Sequence, residues 1–186
     1  MPASLQTTSG LPLKTMVLPA DLEPDNPLWH FALEFWQHTA AQKTCLTLQN
    51  EGWSVTRILC AGWLALNGRA YTGIEHPTVT EWRDRVTGSL RAIRTSVPKA
   101  QTAYNGLRTH LASLELEAER IELALAWRSF TAPKPESRNM HVCEELIQSN
   151  LAAAAPAPDA IPGVKLLLLT LGDTISAFQS GDSQPC

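Results

Sequence analysis

Three residues near the start of the chain carry side chains of the kind that bind metals: His30, Glu34 and His38. Spaced at i, i+4 and i+8, they fall within an arc of about 80° on one flank of a helix. Two imidazoles and a carboxylate suit zinc. At a rise of about 1.5 Å per residue, however, the outer two stand about 12 Å apart, so one ion would take an adjacent pair plus a ligand from another helix. A solvated helix flank accounts for the same pattern without an ion.

Arg83, Arg91 and Arg94 form the second set. With Arg83 at zero, Arg94 falls at about 20° and Arg91 at about 80°, beside an apolar side of Trp82, Val86, Leu90, Ile93 and Val97 at about 260–340°. Guanidinium groups on such an edge can grip a partner's carboxylate or phosphate while their stems lie on Trp82. The competing reading pairs them with acids of the chain itself, in the Glu-rich flanks of residues 115–122 or at Asp21, Glu23 and Asp25, and it is the stronger of the two. Trp29, beside Leu28 at a helix start, and Trp53, in a turn between Gly52 and Ser54, are the rings a partner surface could use. Helical periodicity sends Trp36, Trp63 and Trp82 to the core instead.

The four cysteines, Cys45, Cys60, Cys143 and Cys186, show no C-x-x-C spacing. With no secretory leader pattern ahead of them, free thiols in a reducing cytoplasm are expected. Cys45 and Cys143 are nucleophile candidates only as any thiol is. The sequence has no G-x-S-x-G, H-E-x-x-H, G-x-x-x-x-G-K-[ST] or G-x-G-x-x-G, and no cofactor is called for.

The elements that must position these groups are helices. Asn26-Pro27 is an N-cap with proline at the first helical position, and Leu28, Phe31, Ala32 and Phe35 recur at helical spacing to His38. Thr39 can cap a second helix running to Gly52, and Ser54 a third through Leu66, stopped by Asn67-Gly68. Thr78 opens a 3.6-period stripe, Val79 to Val97, that ends at Pro98. Tyr104, Leu107, Leu111, Leu114, Ala118, Ile121 and Leu125 then follow a heptad, with Leu116, Leu123 and Trp127 on a second face. Both faces need cover, and Glu115, Glu119, Glu122 and Arg120 fill the sides between them. Pro133 and Pro135 break the chain. A short helix from about Asn139 to Leu151, an Ala/Pro linker to Gly163 and an amphipathic helix from Val164 to Phe178 close it.

No stretch shows the alternation and β-branched enrichment of strands, so the reading is an all-α bundle with one long helix, about 100–129, packed between neighbours. A lead-in of residues 1–24 is expected to be flexible, with Met16 an alternative start. One helical domain covers 25–180, made of a head (27–97), the long helix and C-terminal helices (138–179), and residues 181–186 form a tail. The longest apolar run, around residues 164–169, is far short of the ~20 residues of a membrane span, which excludes a transmembrane protein at this level. The net charge of −3 conceals −2 over residues 1–77, +4 over 78–110 and −5 over 111–186. Nucleic-acid binding through the +4 segment is disfavoured, since its six basic residues share it with two acids.

Leu28-Trp29-His30-Phe31-Ala32-Leu33, Cys45-Leu46-Thr47-Leu48-Gln49, Gly62-Trp63-Leu64 with Gly68, Trp82-Arg83 with Leu90-Arg91-Ala92-Ile93-Arg94, and Leu114 to Glu122 occur in that order. The set, over roughly residues 27–128, resembles a family of short helical proteins, mainly proteobacterial, that carry a domain of unknown function. The resemblance implies a cytoplasmic bacterial all-α protein and brings no catalytic residues. From the residues, the expected function is a non-enzymatic interaction or adaptor protein with an unidentified protein partner. A small-molecule- or metal-binding protein, or an enzyme, with a site near His30 and Trp63 is the alternative. Self-association through the heptad helix is left open.

Overall fold

The computed structural model describes residues 15–131 and 144–181, all-α, with no strand among the described residues. Asn26 opens α1 (Pro27–Gln37): its Oδ1 accepts the Trp29 N–H at 3.0 Å, and Pro27 presets φ for the first turn. α2 (Thr39–Asn50) follows with His38, not Thr39, at its cap position, and Ser54 caps α3 (Val55–Leu66). Between them Gly52 takes a left-handed φ of +86°, which returns the Trp53 N–H to the Leu48 carbonyl at 3.0 Å. That turn carries the indole inward, and Trp53 is 2% exposed. The expectation of a bare Trp53 is thereby corrected: a turn position is exposed only if its backbone faces out, and this one folds back on the core.

The next helical rod contains a change of winding. α4 (Pro77–Trp82) passes through a π turn at Arg83–Thr87 into α5 (Gly88–Ser96), and Gly88 donates its N–H to the Arg83 carbonyl to close the wide turn. An added Cβ at Gly88 would stand 3.0 Å from that oxygen. Inserting one residue into the turn sets back every side chain beyond it. The inward positions become Val79, Arg83, Thr87, Arg91 and Arg94, while Ile93, expected on the core stripe, is 51% exposed.

α6 (Asn105–Thr131) is 27 residues, about 40 Å long. Its heptad supplies only part of its buried stripe, at Leu111, Ala118 and Leu125, and glutamates supply the rest. Leu111, Glu115, Ala118 and Glu122 face inward, whereas Leu107 and Leu114 are 52% and 54% exposed. Only the last part, Glu122 to Ala126, is enclosed on all sides. The glutamates turn in because the arginines of α4 and α5 are there to meet them. Trp82 fastens the two rods by donating Nε1–H to the Ala118 carbonyl at 2.9 Å.

α7 (Glu144–Ala153) packs on α3, and α8 (Lys165–Gly181) lies against α2, α3 and α7. The N-terminal end of the short helix expected from Asn139, together with Cys143, Cys186 and most of the tail, lies outside the described residues. Asn150 of α7, almost wholly buried, donates Nδ2–H to the Ala61 and Arg69 carbonyls at 3.1 and 2.9 Å and accepts the Tyr71 N–H at 2.8 Å. Of the expected lead-in, Leu22 packs against the core, the Pro24 carbonyl accepts from Arg120, and Asp21 pairs with Arg128.

The apolar run at residues 164–169 is part of a longer apolar stretch. Pro158–Phe178, with a mean hydropathy of 1.4, is long and apolar enough to cross a membrane, because a span tolerates the polar residues that interrupt a run. In the fold this stretch buries Val164, Leu168, Leu171 and Ile175 against its neighbours.

Candidate functional site

Four arginines and four glutamates form two neighbouring ion-pair clusters along the π turn, α5 and α6. Arg83 chelates Glu75, Nη1 to Oε2 at 2.6 Å and Nη2 to Oε1 at 2.7 Å, and gives Nε–H to Glu122 Oε1 at 2.7 Å. Arg57 of α3 donates Nη1–H to Glu75 Oε2 at 2.7 Å and reaches the Gly73, Ala153 and Ala154 carbonyls with its other nitrogens, so one guanidinium also closes the C-terminal end of α7. Burial alone would raise Glu75, but Arg83 and Arg57 hold it below the usual carboxylate range. Burial acts against the Arg83 cation, yet Glu75 and Glu122 hold its pKa above the ordinary value. Thr56 donates its hydroxyl to Glu122 Oε1, leaving Oε2 buried without a partner among the described residues.

Farther along α5, Arg91 and Arg94 converge on Glu115. Arg91 gives Nε–H at 2.8 Å, and Arg94 gives Nε–H and, at 3.2 Å, Nη2–H. Desolvation would raise Glu115; the two arginines hold it low. Arg91 Nη2–H reaches Glu119 Oε1 at 2.5 Å. Here desolvation dominates, Glu115 and Glu122 add to it, and the Glu119 carboxyl is pushed up to about 7 despite Arg91.

Glu119 lines an open cleft of about 390 Å³. Trp29, Leu33 and Trp36 of α1, Leu46 and Gln49 of α2, Thr56 and Leu59 of α3, and Leu116 and Leu123 of α6 form its walls; Arg94, Glu115 and Glu119 are its charged groups. The cleft stays open partly because its facing positions Ala32 and Ala112 carry only methyl groups. Leu33, Leu46 and Leu116 remain 44–49% exposed at its mouth.

The residues singled out by sequence are dispersed. Arg83, Arg91 and Arg94 all engage internal carboxylates. Trp29 lines the cleft, with the Arg120 guanidinium 5.6 Å from its ring centroid, and Trp53 is in the core. His30, Glu34 and His38 do not gather. His30 Nε2 lies 2.7 Å from Asp25 Oδ1, and the His38 ring lies 4.8 Å from that of Phe178. No group of three metal-ligating side chains occurs among the described residues. Glu34, His38 and Trp63 border a separate hollow of about 420 Å³, to which His30 does not belong. Cys45 and Cys60 are buried free thiols, Cys45 pushed by desolvation up to about 12 and Cys60 higher still.

Sequence reasoning missed Glu75, Arg57 and Thr56. Glu75 sits in a loop with no periodicity to mark it, and Arg57 and Thr56 lie on a helix that reads as plain core. Glu119 was visible only as part of the charged sides of the long helix, and Leu116 as part of its second apolar face.

No curated protein and no solved structure matches the chain. A family model described as "Protein of unknown function (DUF2390)" matches residues 27–125, which span α1 to α5 and most of α6, and the chain belongs to that family.

Proposed function

We propose that the protein is a non-enzymatic binding module whose cleft between α1, α2, α3 and α6 takes a ligand with an apolar body. The carrying observation is the cleft itself: two tryptophans and three half-bare leucines around a volume in the range of small-molecule sites. Binding is favoured over catalysis by the groups present. No histidine or cysteine lines the cleft, and its arginine is already paired with Glu115. The network beneath serves to hold α5 and α6 in register, so that the cleft keeps its shape.

A solvatochromic apolar dye such as Nile red, displaced by 1-octanol, tests this. Wild type should bind with a blue shift, and Leu116→Arg, a change at a half-exposed position, should abolish it without altering the circular dichroism. Equal binding by the two proteins overturns the reading.

A second reading keeps the protein partner. Tyr104 just ahead of the long helix, Leu107 and Leu114 on it, and Ile93 of α5 are 41–54% exposed, and a second helix laid along them would cover them. Light scattering of wild type and Leu107→Lys/Leu114→Lys decides whether that helix belongs to a second copy: a mass that falls in the variant supports it, and two identical monomers remove it.

A further inference from the structure

We infer that the ligand taken by the cleft carries a cationic head, an aliphatic ammonium group set against Glu119, with its apolar tail among Trp29, Leu33, Trp36 and Leu116. The inference rests on the cleft being a ligand site and names the chemistry of that ligand.

Three observations carry it. The first is hydrogen-bonding capacity. Glu119 accepts one bond, from Arg91 on Oε1, and its second oxygen has no partner among the described residues. A carboxylate can accept several. The second is charge at the cleft wall. Glu115 and Glu119 stand against Arg91 and Arg94, but Glu115 takes one bond from Arg91 and two from Arg94, which leaves Glu119 with the Arg91 Nη2–H alone. An arriving anion would have to compete with Glu115 for Arg94 and would meet Glu119 beside it; an arriving cation finds an under-used acceptor. The third is the indole of Trp36, whose face attracts cations and disfavours anions, as the Trp29 ring does for the Arg120 guanidinium 5.6 Å from its centroid.

Desolvation leaves the Glu119 carboxyl short of positive neighbours, and an ammonium group supplies one. The charged groups around it are Arg91 and Arg94 from α5 and Glu115 and Glu122 on its own helix. α1, α2 and α3 contribute no titratable side chain to the cleft wall. Cation binding therefore draws a proton from Glu119, and affinity for the amine should rise with pH between 6 and 8.

Octylamine and 1-octanol share one octyl tail and differ only in head, and octanoate carries the opposite charge on a tail one methylene shorter, so calorimetric titration of the three separates head from tail. At pH 8 octylamine should bind about tenfold more tightly than octanol, the scale of one charge-assisted hydrogen bond, and octanoate should bind weakest. Glu119→Gln, with its circular dichroism as in wild type to show that it is folded, should bring octylamine down to the level of octanol. Equal binding of all three ligands, or an amine preference that survives Glu119→Gln, overturns the cationic head and leaves the apolar cleft standing. Failure of all three to bind overturns both.

Discussion

Arg83 Nε lies 2.7 Å from Glu122 Oε1, joining α4 to α6 through a carboxylate that solvent does not reach. Neither side chain is where an ordinary amphipathic helix would put it. The π turn that begins at Arg83 sets Arg91 and Arg94 inward behind it, and α6 answers with glutamates at positions where a coiled coil would carry leucine.

Removing one partner of such a pair leaves the other buried and uncompensated. Arg83→Met is expected to destabilise the fold by about 3–5 kcal/mol, because among the described residues Glu122 loses its one ion-pair partner and Glu75 keeps Arg57 alone. The double variant Arg83→Met/Glu122→Leu should recover a large part of that loss. Urea unfolding of the two single variants and the double variant measures the coupling. Simple additivity would contradict the network.

Acid and neutral pH should act on different carboxyls. Glu75 and Glu115 titrate below their ordinary value of 4.5, so the unfolded chain takes up their protons first on acidification, and their contribution is lost as pH falls through the folded values. Glu119 has the opposite sign. Between 4.5 and about 7 the folded protein keeps a proton that the unfolded chain has shed, so stability falls as pH rises through that window, by at most about 1.4 kcal/mol per unit. Glu119→Gln should therefore flatten the pH 5–7 limb of the unfolding free energy and leave the acid limb in place. Parallel profiles for the two proteins would contradict the assignment.

Gly73 combines a φ of +75° with a close approach: an added Cβ would stand 2.5 Å from the Ala153 carbonyl oxygen. Backbone cannot yield there as a flexible side chain does, and the Gly73 carbonyl also accepts from Arg57. Gly73→Ala is expected to cost about 2 kcal/mol or more by thermal or urea unfolding, whereas Gly106→Ala, at a helical position where a Cβ meets open space, should be neutral or stabilising by up to about 1 kcal/mol.

The parts of the fold legible in sequence are those written in local chemistry. Asn26, Pro27 and Ser54 sit at helix starts because their side chains or rings serve the first turn, and nothing distant alters that. The long helix was legible in its length, and its facing was not. Leucine spacing predicted a heptad interface, whereas the buried stripe is decided by Glu115 and Glu122, whose burial depends on arginines at the start of the π turn and beyond it. No periodicity announces such a turn, and Gly88 alone is too common a signal. The arginines were recognisable as a set, and their internal acids were among those considered for residues 115–122; Glu75, in a loop, was not. Trp53 misled because a turn residue is read as exposed until the direction of the turn is known. Leu116 and Glu119 could be placed on α6, but the cleft they share with Trp29 and Trp36 exists only once α1 lies beside that helix.

The most direct test of the ligand site uses the chain's own reporters. Each of the six tryptophans gives one indole N–H signal in a ¹⁵N spectrum, and those of Trp29 and Trp36 alone belong to the cleft. Titrating octylamine into the labelled protein should shift these two signals together and saturably, with Trp53, Trp63, Trp82 and Trp127 unmoved. Shifts confined to Trp63 and Trp127, or no saturable shift at Trp29 and Trp36, would contradict the account.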